Sequence, residues 1–258
     1  MEEKALLETR NAEWLMDSDF GWRARLGLMH PSRGWTPEHE WPRMLPRGVS
    51  YLVTRIMMRG TTLEEVEKMG AYELDAARAL ATADVDLICY NCTIGSMLKG
   101  AGYDKTLAAN FQKATGVPTK TMTTAVMEAL NEFGARRLVV ATPYAPELNK
   151  LEKTFLEDNG FEVMYEKGLG ITDTVQIAKV TPTAVYRFGK EVFSKAPEAD
   201  ILFLSCGNLR TIEVLSVLEK DLGKPVISSN QALLWSSLRA VGVKEPIYGF
   251  GSLMERPR

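Results

Sequence analysis

Apolar and polar positions divide this chain into two kinds of segment. Short, nearly continuous apolar runs predict strands, and longer stretches with apolar residues three or four positions apart predict helices. The predicted strands cover residues 25–29, 49–56, 85–90, 138–141, 161–165, 201–204 and 225–228. The predicted helices cover residues 62–81, 103–115, 124–133, 146–159, 182–196, 211–222 and 231–241. Apolar strands that alternate with helices are typical of parallel sheets covered on both faces, so the pattern predicts an α/β fold.

The pattern also repeats in the two halves of the chain. Cys92 and Cys206 follow similar apolar runs and are 114 positions apart, and Leu26 and Leu138 in two other similar runs are 112 apart. These offsets predict two similar Rossmann-like lobes related by a pseudo-twofold axis, although every α/β protein repeats strand–helix units. We assign residues 21–116 with 226–258 to the first lobe, 117–225 to the second, and 1–20 to an N-terminal helical extension.

Composition and charge limit the classes of protein that this chain can represent. Its 258 residues are 45% hydrophobic and 25% charged, which is ordinary for a globular protein. A net charge of −2 without a lysine or arginine cluster argues against nucleic-acid binding. No apolar stretch is long enough to span a bilayer, and the charged N-terminus lacks the apolar part of a secretory signal. With three cysteines, an odd number that makes no disulfide framework, we expect a soluble cytoplasmic protein.

Two cysteines stand where an α/β protein is expected to bind its ligand. Cys92 and Cys206 each follow a predicted strand, and the carboxyl ends of parallel strands are the usual binding edge. A nearby helix N-terminus is expected to lower the pKa of such a thiol and favour a reactive thiolate. A buried cysteine can also be a small core residue, and we interpret Cys89, inside its apolar run, in that way. Cys89 and Cys92 form a C-x-x-C pattern, but without a second pair a zinc site is not expected.

Several motifs, in order along the chain, resemble those of one enzyme superfamily. They are Asn-Cys-Thr at 91–93, Thr-Gly-Val-Pro at 115–118, Met-Thr-Thr-Ala-Val at 122–126, Gly-Ala-Arg-Arg at 134–137, Ala-Thr-Pro-Tyr at 141–144, Leu-Gly-Ile-Thr at 169–172, Ser-Cys-Gly-Asn-Leu-Arg-Thr at 205–211 and Gly-Lys-Pro-Val-Ile-Ser-Ser at 223–229. From about residue 25 onward the chain resembles the aspartate/glutamate racemase superfamily, in the branch of maleate cis–trans isomerases and arylmalonate decarboxylases. The resemblance implies an active site between the lobes, without a metal or an organic cofactor.

The resemblance also implies roles for individual residues. Cys92 corresponds to the nucleophile of the isomerases and Cys206 to their acid–base partner, whereas the decarboxylases have glycine at the first position. Gly34 stands where the isomerases typically carry an asparagine. Residues 172–174 read Thr-Asp-Thr where a second substrate-binding asparagine is expected, so maleate itself stays open as the substrate. The expected substrate-binding residues are Gly34, Thr93, Ile94, Tyr144, Gly207 and Asn208.

Two enzymatic functions and one non-enzymatic function follow from these residues. The first is a cofactor-independent isomerase that converts a small cis-unsaturated dicarboxylate into its trans isomer by covalent cysteine addition. The alternative is a two-cysteine racemase or decarboxylase of a small carboxylic acid, because two facing thiols can serve both faces of one carbon. A two-lobed binding protein is disfavoured by the paired cysteines. We expect a small carboxylate and a second copy of the chain as partners, and neither nucleic acid nor membrane.

Overall fold

The two halves of the chain form two parallel sheets with the same strand order. The computed structural model describes residues 20–256, and the predicted extension over residues 1–20 lies outside them except for Phe20. The first sheet, in the order β2-β1-β3-β4, contains β1 (Ala24–Pro31), β2 (Val49–Ile56), β3 (Leu87–Tyr90) and β4 (Thr119–Thr121). The second, in the order β6-β5-β7-β8, contains β5 (Arg137–Thr142), β6 (Glu162–Gly168), β7 (Ile201–Leu204) and β8 (Val226–Ser228). Every neighbouring pair is parallel, which confirms the predicted α/β fold with two similar lobes.

Helices cover the sheets and bury the central strands completely. All residues of β3 and β7 are buried, as expected for strands enclosed on both faces. The helices are α1 (Thr36–Met44), α2 (Leu63–Ala81), α3 (Thr93–Met97), α4 (Tyr103–Thr115), α5 (Met122–Glu132), α6 (Pro146–Asp158), α7 (Thr174–Ala178), α8 (Pro182–Phe193), α9 (Leu215–Leu222), α10 (Ser229–Ala240) and α11 (Ser252–Glu255). None of the helices found between residues 20 and 256 has the length and apolarity needed to cross a membrane.

The strand pairing corrects both predicted lobe boundaries. Strand β4 was assigned to the second lobe, but it pairs with β3 in the first sheet. Strand β8 was assigned to the first lobe, but it pairs with β7 in the second. Each is a three-residue edge strand, and the Thr-Lys-Thr sequence of β4 has no apolar run that could reveal it. After β8 the chain returns to the first lobe, where α10 packs on α5 and contacts β3 and β4 of the first sheet.

One predicted helix begins later than its sequence pattern suggests. The pattern predicts a helix over residues 211–222, whereas α9 begins at Leu215. The backbone N–H groups of Thr211 and Ile212 donate to the buried Glu40 carboxylate, at 2.6 and 3.2 Å. The chain therefore stays in a turn there, directly after the Cys206 segment.

Candidate active site

The carboxyl ends of strands from both sheets surround one cavity between the lobes. Its volume is about 450 Å³, counted with its open mouth. The segments after β1 and β3 line one side, and those after β5 and β7 line the other. All eight predicted site residues line it, namely Gly34, Cys92, Thr93, Ile94, Tyr144, Cys206, Gly207 and Asn208. The sequence analysis did not predict the wall residues Pro31, Pro37, Met58, Thr61, Val66, Asn91 and Thr174, which complete the cavity with His30.

Cys92 is the N-cap residue of α3, where its sulfur accepts a hydrogen bond from the backbone. The Gly95 N–H donates to Cys92 Sγ at 3.3 Å, and the Tyr90 hydroxyl is a second hydrogen-bond partner of the thiol. The helix start was expected to lower the thiol pKa, but burial is the larger effect and raises the pKa of Cys92 to about 12. The negative charges of Glu73 and Cys206 raise it further, and the two hydrogen bonds only reduce the rise. The thiol is therefore neutral at pH 7 until its proton is removed.

Cys206 has a strained backbone and a tyrosine partner. Its φ of +105° lies in a region that residues other than glycine rarely adopt, and its N–H donates to Ser229 Oγ at 3.0 Å. The Asn208 N–H donates to Cys206 Sγ at 3.3 Å, and the Tyr144 hydroxyl hydrogen-bonds to the same sulfur. Burial raises the pKa of Cys206 to about 11, and these two donors oppose the rise. Tyr144, predicted to bind a carboxylate, therefore also orients the second thiol.

Asn208 lines the cavity, but its side-chain amide makes hydrogen bonds to backbone groups of both lobes. Asn208 Oδ1 accepts hydrogen bonds from the N–H groups of Trp35 and Thr36, at 2.8 and 3.2 Å. Its Nδ2 donates to the Thr174 carbonyl at 2.6 Å. These bonds join the Gly34 loop of the first lobe to the start of α7 in the second. The side-chain amide of Asn208 therefore connects the two lobes, and its backbone N–H contacts the Cys206 sulfur.

Behind the cavity lies a buried polar network that the sequence analysis missed. Asn91 Nδ2 donates to Asn230 Oδ1 at 2.8 Å, and Asn230 Nδ2 donates to Glu40 Oε2 at 2.7 Å and to the Gly207 carbonyl at 2.8 Å. Burial raises the pKa of Glu40 to about 7, although the N–H groups of Thr211, Ile212 and Asn230 donate to the carboxylate and favour its ionised form. Asn91 and Asn230 both follow short buried strands, so the strand-end rule that selected the cysteines would have selected them.

A second polar contact joins the two cysteine segments directly. The Thr93 hydroxyl donates to Ser229 Oγ at 3.3 Å, and Ser229 Oγ accepts from the Cys206 N–H. Thr93 is the first residue of α3, and Cys92 before it is the residue that caps the helix. The side chain of Thr93 therefore fixes the spacing between the two thiol-bearing loops.

Gly207 is required by its distance to Asn91. A Cβ at Gly207 would lie 2.1 Å from Asn91 Oδ1, so Gly207→Ala must displace the asparagine and break its bond to Asn230. We expect a loss of about 1–3 kcal/mol in the free energy of unfolding, measured by urea denaturation. The matched control is Gly70→Ala in α2, where the added Cβ has no atom within 4 Å and removes a helix-weakening glycine. Equal free energies of unfolding for the two variants would contradict this account.

The described wall of the cavity lacks the positively charged side chains that are usual where a protein binds a small anion. None of the described residues that line it is a lysine or an arginine. His30 is fully buried, with Nε2 at 2.9 Å from Glu38 Oε1 and Nδ1 at 3.0 Å from the Pro31 carbonyl, and burial lowers its pKa. The polar groups of the wall are therefore neutral donors, and the other part of the wall is apolar.

Known proteins with related sequences belong to two kinds of enzyme. The chain is 29% identical over 215 residues to an arylmalonate decarboxylase from Bordetella bronchiseptica, covering 83% of this chain and 89% of that one. It is 28% identical over 243 residues to a maleate isomerase from Pseudomonas putida, covering 89% of this chain and 96% of that one. These relatives confirm the predicted branch of the superfamily.

Solved structures of the same enzymes share the fold. A cysteine-to-alanine variant of the maleate isomerase Iso from Pseudomonas putida, solved with maleate, has a TM-score of 0.86 at 25% identity, covering 90% of this chain and 97% of that one. A liganded double mutant of arylmalonate decarboxylase has a TM-score of 0.84 at 28% identity, covering 89% of this chain and 98% of that one. The family model of arylmalonate decarboxylase matches residues 26–254. Because this match spans both lobes and the cavity between them, the chain belongs to the arylmalonate decarboxylase family.

Proposed function

We propose that this protein is a cofactor-independent cis–trans isomerase of a small unsaturated dicarboxylate, with Cys92 as the covalent nucleophile. The observation that carries the proposal is the pair of thiols, one from each lobe, that line one cavity. The two cysteines are 8% and 7% exposed, and both line the cavity, so a small molecule there can reach them while bulk water is mostly excluded. Each also has a tyrosine hydroxyl as a hydrogen-bond partner.

The chemistry assigned to the two thiols balances over one cycle. The Cys92 thiolate forms an S–C bond to one alkene carbon, and the π electrons move to the adjacent carbon and its carboxylate as an enediolate. The former double bond is now a single bond that rotates, and Cys206 gives its proton to the adjacent carbon. Cys206 then takes the proton back, the S–C bond breaks, and the trans alkene forms. The enzyme returns to its starting state without a redox partner.

Neutral donors near both thiols suit the carboxylates of such a substrate. Thr93 and Ile94 begin α3, so their N–H groups have no acceptor within the helix. The backbone hydrogen bonds to the Cys92 and Cys206 sulfurs come from Gly95 and Asn208, so they do not use the N–H groups of Thr93 and Ile94. Donors held rigidly in a water-excluded cavity stabilise an enediolate more than they would in water.

A second function is favoured by the apolar part of the wall. The apolar part of the cavity wall is formed by Pro37, Met58, Val66 and Ile94. None of the described lining residues is a lysine or an arginine that could pair with a second carboxylate of the substrate. Such a wall suits a carboxylic acid with one apolar substituent. The same two thiols would then exchange a proton at the carbon next to the carboxylate, as in a racemase, or would protonate that carbon after loss of carbon dioxide.

Proton NMR in deuterium oxide distinguishes these functions with one protein sample. We expect maleate to be converted to fumarate at a rate that dialysis against EDTA does not change. Two further incubations, with an arylmalonate and with one enantiomer of an α-aryl carboxylate, test for loss of carbon dioxide and for exchange of the α-hydrogen. Turnover of either compound without conversion of maleate would establish the second function and exclude the first. No change in any incubation would exclude both.

A further inference from the structure

A tyrosine and a carboxylate stand in line behind Cys92, on the side away from the cavity. The Tyr90 hydroxyl donates a hydrogen bond to Glu73 Oε1 and is also a hydrogen-bond partner of the Cys92 thiol. Gly95 makes this arrangement possible, because a Cβ there would lie 2.2 Å from the Tyr90 oxygen and 3.0 Å from Cys92 Sγ. Tyr90 is fully buried and neither it nor Glu73 lines the cavity. The two groups can therefore act on the reaction only through Cys92.

We propose that Glu73 receives the proton of the Cys92 thiol through the Tyr90 hydroxyl, so that the nucleophile is deprotonated from behind and not through the substrate cavity. In this step the Cys92 S–H bond breaks and its proton passes to the Tyr90 oxygen. The Tyr90 O–H proton passes at the same time to Glu73 Oε1. The products are a Cys92 thiolate that accepts a hydrogen bond from Tyr90 and a neutral Glu73 carboxylic acid. The role given to Cys92 here rests on the proposed function, and Glu73 and Tyr90 are positioning residues.

The surroundings of Glu73 suit a proton acceptor. Burial raises the pKa of Glu73, which makes its carboxylate a stronger base than a carboxylate in water. The ionised Glu73 also raises the pKa of Cys92, and this repulsion disappears when the carboxylate takes the proton. Thiolate formation and neutralisation of Glu73 therefore assist each other, as is typical of coupled ionisable groups.

Glu73 also has a route to solvent that does not pass the substrate. It is 7% exposed and lines an outer groove between α2, α3 and α4, together with Glu67, Gly70, Lys99 and Tyr103. The charge of Lys99 lowers the pKa of Glu73. Tyr103 faces the carboxylate from α4, and Tyr90 faces it from β3. A proton held on Glu73 can thus reach water while the cavity is filled.

The rate of alkylation of Cys92 as a function of pH tests the proposal without any substrate. Iodoacetamide is added to the intact protein and the labelled cysteines are identified by mass spectrometry. In the unmodified protein the internal transfer gives a thiolate fraction that does not depend on pH, so the Cys92 rate should stay level between about pH 6 and 8. In Glu73→Gln the acceptor is lost, and the rate should fall about tenfold for each unit by which pH is lowered.

Glu73→Gln distinguishes proton transfer to Glu73 from a purely electrostatic effect of the Glu73 charge on Cys92. If Glu73 acted only by its charge, Glu73→Gln would remove a repulsion and accelerate labelling at every pH, and that result would overturn the proposal. Tyr90→Phe, which keeps the ring, should also lose the level region. Cys206 in the same sample reports whether the fold is intact, and its labelling profile should not change in either variant.

Tyr144→Phe is the matched control, because it removes the equivalent hydroxyl from the other thiol. It should slow the labelling of Cys206 and leave the level region of Cys92 unchanged. Loss of the level region in Tyr144→Phe as well, or its survival in both Glu73→Gln and Tyr90→Phe, would refute the transfer through Tyr90. Absence of maleate turnover with a normal Cys92 profile would contradict the proposed function alone.

Discussion

Cys92→Ser should abolish cis–trans isomerisation, whereas Cys206→Ser should retain a residual rate. A serine hydroxyl is not ionised at neutral pH and is a poor nucleophile toward an alkene, so without Cys92 no S–C bond can form. Cys206 supplies mainly a proton, and loss of such a group typically costs about 10²–10⁴-fold in rate. The measurement is the appearance of the fumarate signal by NMR at saturating maleate.

Cys89→Ser is the matched control for this pair. Cys89 is fully buried, its Sγ lies 3.2 Å from Ser237 Oγ, and it does not line the cavity. Its replacement should leave isomerisation within about twofold of the unmodified enzyme, as expected for a substitution outside the reacting groups. Normal isomerisation by Cys92→Ser would exclude covalent addition. Equal losses in the two active-site variants would favour racemisation, and tolerance of Cys92→Ser with failure of Cys206→Ser would favour decarboxylation.

Asn230→Ala should cause the largest loss of stability among single substitutions at the polar network. It removes the donor to Glu40 Oε2, the donor to the Gly207 carbonyl and the acceptor of Asn91, all of them buried. Each buried group left without a partner costs about 1–3 kcal/mol, so we expect a loss of about 3–5 kcal/mol in the free energy of unfolding. Urea denaturation at pH 8 measures it.

The pH dependence of this loss identifies Glu40 as its origin. The folded pKa of Glu40, about 7, lies above its usual value near 4.5, so protonation favours the fold and this contribution disappears as pH rises through that interval. Removal of the Asn230 donor raises the folded pKa further, so the loss should be larger at pH 8 than at pH 5. Asn131→Ala, at an exposed asparagine, should change the free energy of unfolding by no more than about 0.5 kcal/mol. A loss in Asn230→Ala that is equal at both pH values would exclude Glu40.

The strands and the thiols could be predicted because they depend on local patterns. A buried parallel strand is apolar along its whole length, and Cys92 and Cys206 follow such strands directly. Their motifs carried the family resemblance, which the family match confirmed. Tyr144 was found in the same way, after β5.

The supporting residues could not be predicted because their partners are distant in sequence. Glu40 lies in α1 beside two prolines and other charged residues, a segment with the composition of an exposed loop, yet it is fully buried by contacts with Thr211 and Asn230. Glu73 has the spacing of an ordinary charged helix residue, and only the packing of α2 against β3 brings it to Tyr90. The prediction of a lowered pKa for Cys92 was wrong for a similar reason, because burial raises that pKa and the depth of burial depends on tertiary packing.

At Cys206 the stability of the fold and the presence of a thiol in the cavity make opposite demands, because the backbone there has a positive φ. A non-glycine residue in this region of backbone conformation costs about 1–3 kcal/mol, and glycine would adopt it without that cost. A population of variants selected only for heat resistance would therefore drift toward glycine at this position and lose the second thiol.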